Sequence, residues 1–196
     1  MKFQKILYLA FITTMIFSAC GGGGNAVPVS ADLQGYTVTA LSGTNASVAE
    51  KFDANGNKVE SGYVINGRKN GQWTRYDIDG KIRFVANYID GLKNGDELSF
   101  NTRGQIEART SYRNDVLDGI SGTYKNGRPT QEISYKNGQF DGPTRKYFNN
   151  GKLQQEIYFK DGKQHGSFKY FDEEGNVTLE YEYKNGEKVS GGIVGQ

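Results

Sequence analysis

Cysteine, histidine and proline are scarce in this chain of 196 residues, which contains one, one and three of them. A single cysteine cannot form a disulfide within the chain, and one cysteine with one histidine cannot complete a zinc site. The lone histidine, His165, stands in KDGKQHG, a segment with the composition of a turn, where a histidine is ordinarily solvated. We therefore expect a protein that is not an enzyme and that uses neither a metal nor a cofactor.

An excess of charge of one sign is also missing. Without Lys2 and Lys5 of the N-terminal segment, 22 basic residues balance 22 acidic ones. Nucleic-acid binding needs a basic patch, so we expect no nucleic-acid partner. Apolar residues make up 36% of the chain, whereas aromatic residues reach 13% and glycine occurs 27 times. This profile disfavours both a disordered chain and an ordinary helical domain.

Residues 1–19 have the pattern of a secretory signal peptide. Two lysines precede an apolar run, Ile6–Phe17, that is too short to cross a bilayer and is followed by small residues. The tripeptide that ends at Cys20 resembles the lipobox of bacterial lipoproteins, although Phe17 replaces the usual leucine. The resemblance implies cleavage before Cys20, which would then carry the lipid.

Residues 20–31 continue from the lipidated cysteine with four glycines, and their composition predicts a flexible tether. Two or three acyl chains on Cys20 would hold the protein on a membrane. No aspartate follows Cys20 directly. The resemblance to sorted lipoproteins then implies a location in the bacterial cell envelope, on the outer membrane facing the periplasm.

Glycine recurs at steps of 23 or 24 residues, and three columns of it stay in register. The first column is Gly56, Gly80, Gly104, Gly127, Gly151 and Gly175; the second is Gly67, Gly91, Asp115, Gly138, Gly162 and Gly186; the third is Gly71, Gly95, Gly119, Gly142 and Gly166. A fixed period of this length is the signature of a repeat protein.

The segments between the glycines have the pattern of β-strands. In KIRFVANY, residues 81–88, apolar and polar positions alternate with a period of two, and Glu132, Glu156 and Glu180 of later repeats fall on the opposite, polar face. Turns such as DIDG and NTRG join one pair of strands. We expect a second, longer turn with two glycines in IDGLKNG and KDGKQHG, and an additional N-terminal strand in YTVTAL, residues 36–41.

The predicted fold is all-β: an elongated, single-layer antiparallel meander of β-hairpin repeats of about 24 residues. GQWTRYDIDGK at Gly71–Lys81 matches the G-x-W-x-x-Y-x-x-x-G pattern and resembles the MORN-repeat family. The period and the YKNG signature resemble its bacterial variant, the YwqK-type antitoxin repeat. The resemblance covers about residues 46–190, and we assign residues 32–196 to the repeat domain.

Aromatic residues in register with the glycines are the candidate binding residues. They are Trp73, the column Tyr76, Phe100, Tyr124, Tyr147 and Phe171, and the column Tyr88, Tyr112, Tyr135, Phe159 and Tyr183. Such rows also suit an internal ladder of cross-strand pairs, and Trp73 is either an anchor for a partner or a packing residue.

Two functions fit these features. The first is a membrane-anchored protein-binding module, with an antitoxin-like or immunity-like role and a toxin as partner implied by the family resemblance. The second is a structural or envelope-associated lipoprotein that contacts glycan or lipid.

Overall fold

The computed structural model describes residues 33–194. The predicted signal peptide, Cys20 and the tether at 20–31 lie outside the described residues. No helix in the described part is long and apolar enough to cross a membrane.

Within residues 33–194, fourteen strands form one antiparallel sheet in the order of the chain, which confirms the predicted meander. They are β1 (Thr37–Ala40), β2 (Ala46–Phe52), β3 (Lys58–Ile65), β4 (Arg68–Tyr76), β5 (Ile82–Ile89), β6 (Leu92–Phe100), β7 (Ile106–Arg113), β8 (Val116–Lys125), β9 (Arg128–Lys136), β10 (Gln139–Tyr147), β11 (Leu153–Lys160), β12 (Lys163–Phe171), β13 (Val177–Lys184) and β14 (Glu187–Ile193). β1 and β14 are not paired with each other, so the sheet is open. The expected N-terminal strand is β1.

The turns at one end of the sheet are shorter than the sequence indicated. Asn137 and Gly138 alone connect β9 to β10, with φ of 49° and 80°, which is the geometry of a two-residue type I′ hairpin. The second glycine, Gly142, lies inside β10 at φ 102°, where the pairing with β9 shifts register between Phe140 and Thr144. The prediction of a longer turn with two glycines was therefore wrong, because the second glycine forms a β-bulge in the following strand.

The bulge glycines explain why glycine and aromatic columns share a period. Gly142 is the cross-strand partner of Phe159, and Gly166 is the partner of Tyr183. The same pairing recurs at Gly71 with Tyr88, Gly95 with Tyr112 and Gly119 with Tyr135. Residues 16 or 17 positions apart in sequence are thus neighbours in the sheet.

Five of the two-residue turns, those after β5, β7, β9, β11 and β13, are also hydrogen-bonded to the preceding hairpin. The backbone N–H of Gly138 donates to the Leu117 carbonyl at 2.8 Å, and that of Gly162 donates to the Phe140 carbonyl at 2.9 Å. The Asp141 carboxylate accepts a further bond from the Asp161 N–H at 3.3 Å. These bonds join successive repeats at a spacing of one repeat.

His165 does not lie in a turn. Asp161 and Gly162 form the turn, and His165 is a half-buried residue of β12 directly before the bulge at Gly166. It occupies the position that Asp141 takes one repeat earlier, and its Nδ1 is buried without a hydrogen-bond partner among the described residues. The sequence interpretation failed because it assigned KDGKQHG to one long loop.

The loops at the other end of the sheet contain five residues between their strands, as at 77–81, whereas the type I′ turns contain two. In the loop after β4, the N–H of Gly80 donates to the Asp77 carbonyl at 3.0 Å, and the Asp77 carboxylate accepts from the N–H groups of Asp79 and Lys81. Asn126 and Gly127 are the exception, since they form a two-residue turn with φ of 52° and 76°. This shorter turn accounts for the single step of 23 residues.

The buried core lies at the N-terminal end of the sheet. Among the described residues, the fully buried apolar side chains are Leu33, Ala49, Val64, Trp73 and Ala86. Leu33 precedes β1 and packs in one cluster with Ala49, Val64 and Trp73, with Tyr36 and Tyr88 at the margin. The segment before β1 therefore covers one face of the first repeats.

Candidate binding surface on the aromatic face

One face of the C-terminal strands carries a continuous row of apolar and aromatic residues. Ile133, Thr144, Ile157, Phe168 and Tyr181 are successive cross-strand partners from β9 to β13, so they share a face. The rings on this side, called here the aromatic face, are Tyr135, Phe140, Phe159, Phe168, Tyr170, Tyr181 and Tyr183.

The rings of the aromatic face are packed in two groups. The Phe140 ring centroid lies 5.2 Å from those of Tyr135 and Phe159. The Phe168 centroid lies 5.0 Å from Tyr170 and 5.9 Å from Tyr181. These separations and the tilted or edge-on orientations are favourable for aromatic pairs.

The aromatic face is only half buried. Phe140 and Tyr170 are each 37% exposed, whereas Trp73 at the N-terminal end is 2% exposed. All strands between residues 33 and 194 belong to one sheet, so no second layer from this region packs on the C-terminal rings. The segment with Leu33 therefore covers this face at the N-terminal end, whereas the rings at the C-terminal end remain accessible to solvent.

The opposite side of the same strands, called here the charged face, holds an alternating row of charges. Glu132, Arg145, Glu156, Lys169 and Glu180 are successive partners from β9 to β13. Arg145 Nε lies 2.7 Å from a Glu156 carboxylate oxygen, and Lys169 Nζ lies 3.1 Å from that of Glu180. The sequence predicted the three glutamates on this face, and the structure places a cation between each pair.

Trp73 is a packing residue in the structure. Its ring lies against Gly62, its Nε1 donates to the Tyr63 carbonyl at 3.0 Å, and Lys69 Nζ lies 4.0 Å from the ring centroid. Lys69 is also paired with the half-buried Glu60 at 3.1 Å. Burial, followed by a hydrogen bond to Glu60, raises the pKa of the adjacent Tyr36 well above its ordinary value.

The two predicted aromatic columns do not form one surface. Tyr135, Phe159 and Tyr183 lie on the aromatic face, but the Tyr147 hydroxyl donates to Glu132 on the charged face at 2.7 Å. The Tyr76 hydroxyl is 3.2 Å from the Ser61 hydroxyl in a comparable contact across strands. Phe100, Tyr124 and Phe171 occupy the strand-end positions equivalent to Tyr76 and Tyr147, while Tyr88 and Tyr112 continue the other column toward the N-terminal end.

Four rings of the aromatic face were not among the sequence candidates: Phe140, Phe168, Tyr170 and Tyr181. They occur in only some repeats and therefore form no column. The signal that was available is pairing, because Phe140 is the cross-strand partner of Tyr135 and Phe168 is the partner of Tyr181.

The contact between Tyr147 and Glu132 predicts a pH dependence of stability. Burial, and then the hydrogen bond to Glu132, raises the pKa of Tyr147 from 10.0 to about 12. The neutral phenol is favoured in the folded state, so this stabilisation is complete below pH 10 and is lost as the pH rises through 12. We expect the difference in free energy of unfolding between the wild type and Tyr147→Phe, measured by urea denaturation, to shrink across this interval.

Glu132→Gln is the matched control for that measurement. It removes the acceptor charge that favours the neutral phenol and should shift the pH at which the wild-type stability falls toward a lower value. A difference between wild type and Tyr147→Phe that is constant from pH 10 to pH 12 would contradict the assignment.

No three His, Cys, Asp or Glu side chains in residues 33–194 converge on a point where a metal ion would bind.

The architecture defines an open β-hairpin repeat protein. A family model described as MORN repeat variant matches residues 140–161 and 164–185, which span β10 to β13. The chain therefore carries two adjacent repeats of the MORN variant, and they hold most of the aromatic face. No curated protein matches the chain.

Proposed function

We propose that this protein is a non-enzymatic, membrane-anchored repeat module that binds another protein through the aromatic face. The observation that carries the proposal is the contrast in burial between the two ends of the sheet. Leu33 shields the first repeats, whereas Phe140 and Tyr170 stay 37% exposed within a continuous row of rings. Exposed apolar patches of this kind are typical of interaction sites.

Protein is the partner class that the chemistry of this surface favours. Burying the rings under a partner contributes about 25 cal/mol for each Å² of apolar area removed from water. Tyrosine and phenylalanine are rigid anchors of protein interfaces. On the opposite face, the charged side chains pair with one another. The aromatic face is therefore the side of these strands whose apolar surface a partner could bury.

Anchoring and partner type rest on the sequence. The proposal places a lipid on Cys20, a tether at residues 20–31 and the repeat domain in the bacterial cell envelope, at the outer membrane facing the periplasm. The resemblance to the YwqK-type antitoxin repeat supports a toxin as the partner and an immunity-like role.

A photo-cross-linking phenylalanine analogue placed at Phe140 or Tyr170 in the cell tests the proposal. We expect one stoichiometric protein adduct from both positions, identified by mass spectrometry. The same analogue at Lys169 is the matched control, because Lys169 adjoins Tyr170 but lies on the charged face. It should give no such adduct.

The double variant Phe140→Ser with Tyr170→Ser should lower the yield of that adduct, formed from a third position at Tyr183, at least tenfold. Adducts with glycan or lipid alone would contradict the proposal and favour the alternative of a structural envelope lipoprotein. Equal adducts from both faces would also contradict it.

Cys20→Ala should abolish the incorporation of labelled palmitate, because the sulfur of Cys20 is the atom that would carry the lipid. The measurement is metabolic labelling followed by isolation of the protein. Ser18→Ala, which keeps a small residue in the processing site, is the control and should retain the label. Label that persists in Cys20→Ala would show that the lipobox interpretation is wrong.

A further inference from the structure

The shortened turn at Asn126 and Gly127 creates a notch in the loop edge of the sheet. The loops that precede and follow it, at Asn101–Gln105 and Phe148–Lys152, each contain five residues, whereas the equivalent stretch, residues 125–128, contains four. The recessed turn lies between them and leaves a depression of about 420 Å³. It is lined by Lys125, Asn126, Arg128, Thr130, Phe148 and Asn149, together with Pro129.

The chemistry of the notch suits a carboxylate. Lys125 and Arg128 flank the turn on its two strands, both are exposed, and neither is within 4.0 Å of a carboxylate among the described residues. Asn126 and Asn149 add amide donors, and the lining contains no Asp or Glu. The aliphatic part of the Arg128 side chain runs beside Gly151 of the next loop. A Cβ atom added to Gly151 would lie 3.6 Å from Arg128 Cδ.

An apolar groove lies along the same loop edge, nearer the N-terminal end of the sheet. It has a volume of about 580 Å³ and is lined by Ile82, Val85 and Phe100 with Lys81 and Arg103, again without a carboxylate. Ile82 is 45% exposed there. Arg103 joins the two depressions, because its Nη2 donates to the Asn126 side-chain oxygen at 2.6 Å.

We propose that the notch and groove form a second binding site, which takes an acidic peptide segment of a partner protein with a carboxylate and an apolar side chain a few residues apart. The carboxylate binds between Lys125 and Arg128, and the apolar side chain enters the groove beside Ile82. Charge complementarity supports this occupant, because four cations and no carboxylate line the two depressions, and of these cations only Lys81 is ion-paired within residues 33–194, at 3.9 Å from Asp79. A free inorganic anion would use the notch alone. This site lies at the loop edge and does not depend on the aromatic face.

Binding of defined peptides to the full chain, captured in detergent on a plasmon-resonance surface, tests the site. The probe is a hexapeptide of alternating glutamate and leucine, and its two controls replace glutamate by glutamine or leucine by serine. We expect the first peptide to bind most tightly and its affinity to fall as salt increases, since exposed charges are screened.

Two variants with the same change in net charge locate the site. Lys125→Glu with Arg128→Glu should weaken binding of the glutamate-leucine peptide at least tenfold. Lys136→Glu with Lys160→Glu, at the opposite ends of β9 and β11, should change it less than twofold. All four positions are exposed, so thermal melting should show that both proteins remain folded. Ile82→Ser should weaken binding of the glutamate-leucine peptide but should leave binding of the glutamate-serine peptide unchanged.

Several results would overturn the proposal: equal binding of the glutamine peptide, equal loss in both charge variants, or no binding at millimolar peptide. Competition by inorganic phosphate or by phosphatidylglycerol vesicles as strong as that by the peptide would replace it by a general anion site. The cross-linking at Phe140 and Tyr170 uses a different surface. Its outcome therefore shows separately whether the proposed protein-binding function holds.

Discussion

Trp73→Ala should destabilise the N-terminal repeats by about 3–5 kcal/mol, the usual cost of deleting a buried tryptophan side chain. Trp73 is 2% exposed and contacts Leu33 and Tyr36 on one side and Gly62 on the other. Its removal leaves a cavity and takes away the ring closest to Lys69 Nζ, which keeps Glu60 and the more distant rings of Tyr36 and Tyr88. Urea denaturation followed by hydrogen exchange measures the loss and shows which strands it affects.

Repeats contact mainly their neighbours, so the loss should be local. We expect exchange to accelerate in β2 to β5 and to change little in β11 to β13. Phe168→Ala is the matched control, because Phe168 occupies the position equivalent to Trp73 in a later repeat but is only half buried. It should cost clearly less. An equal loss in both variants would contradict the assignment of the core to the N-terminal end.

Gly62→Ala should also destabilise this end strongly, by about 1–3 kcal/mol or more, since it overpacks a filled site. Gly62 is the cross-strand partner of Trp73, and a Cβ there would lie 2.3 Å from the indole Cδ2 and 2.5 Å from its Cγ. These ring atoms are near the backbone and cannot move aside easily. The midpoint and slope of urea unfolding give the change.

Two comparisons separate a steric effect from the general cost of changing a glycine. Gly192→Ala is the first, because Gly192 is also in a strand and a Cβ there has no neighbour within 4 Å. It should be close to neutral. In a Trp73→Ala background the second substitution, Gly62→Ala, should cost little, so the two changes should be strongly non-additive. Additive losses would show that Gly62 acts through some cause other than the ring.

The periodicity of the sequence was sufficient to predict the strands, because alternation with a period of two and regular glycines are local signals. It was not sufficient for the turns. Type I′ turns and bulges both favour glycine, asparagine or aspartate at positive φ, so the pattern around Gly138 and Gly142 did not reveal which residue turns the chain. His165 was misplaced for the same reason.

The recessed turn at Asn126 and Gly127 is a second feature whose consequence could not be predicted from the sequence. The step of 23 residues was visible in the sequence, but its effect is spatial. Only the neighbouring loops, one residue longer, make a notch of the short turn and place Lys125 and Arg128 at its rim.

The sequence by itself determined the repeat, its period, the antiparallel meander and the polar character of one face, since these depend on residues close together in the chain. The tertiary structure decided which rings are buried and which are exposed. Leu33 covers Trp73 from outside the repeat pattern, and the cations of the charged face are fixed between glutamates by cross-strand register. Burial depends on what packs over a face, and no period within the strand encodes that.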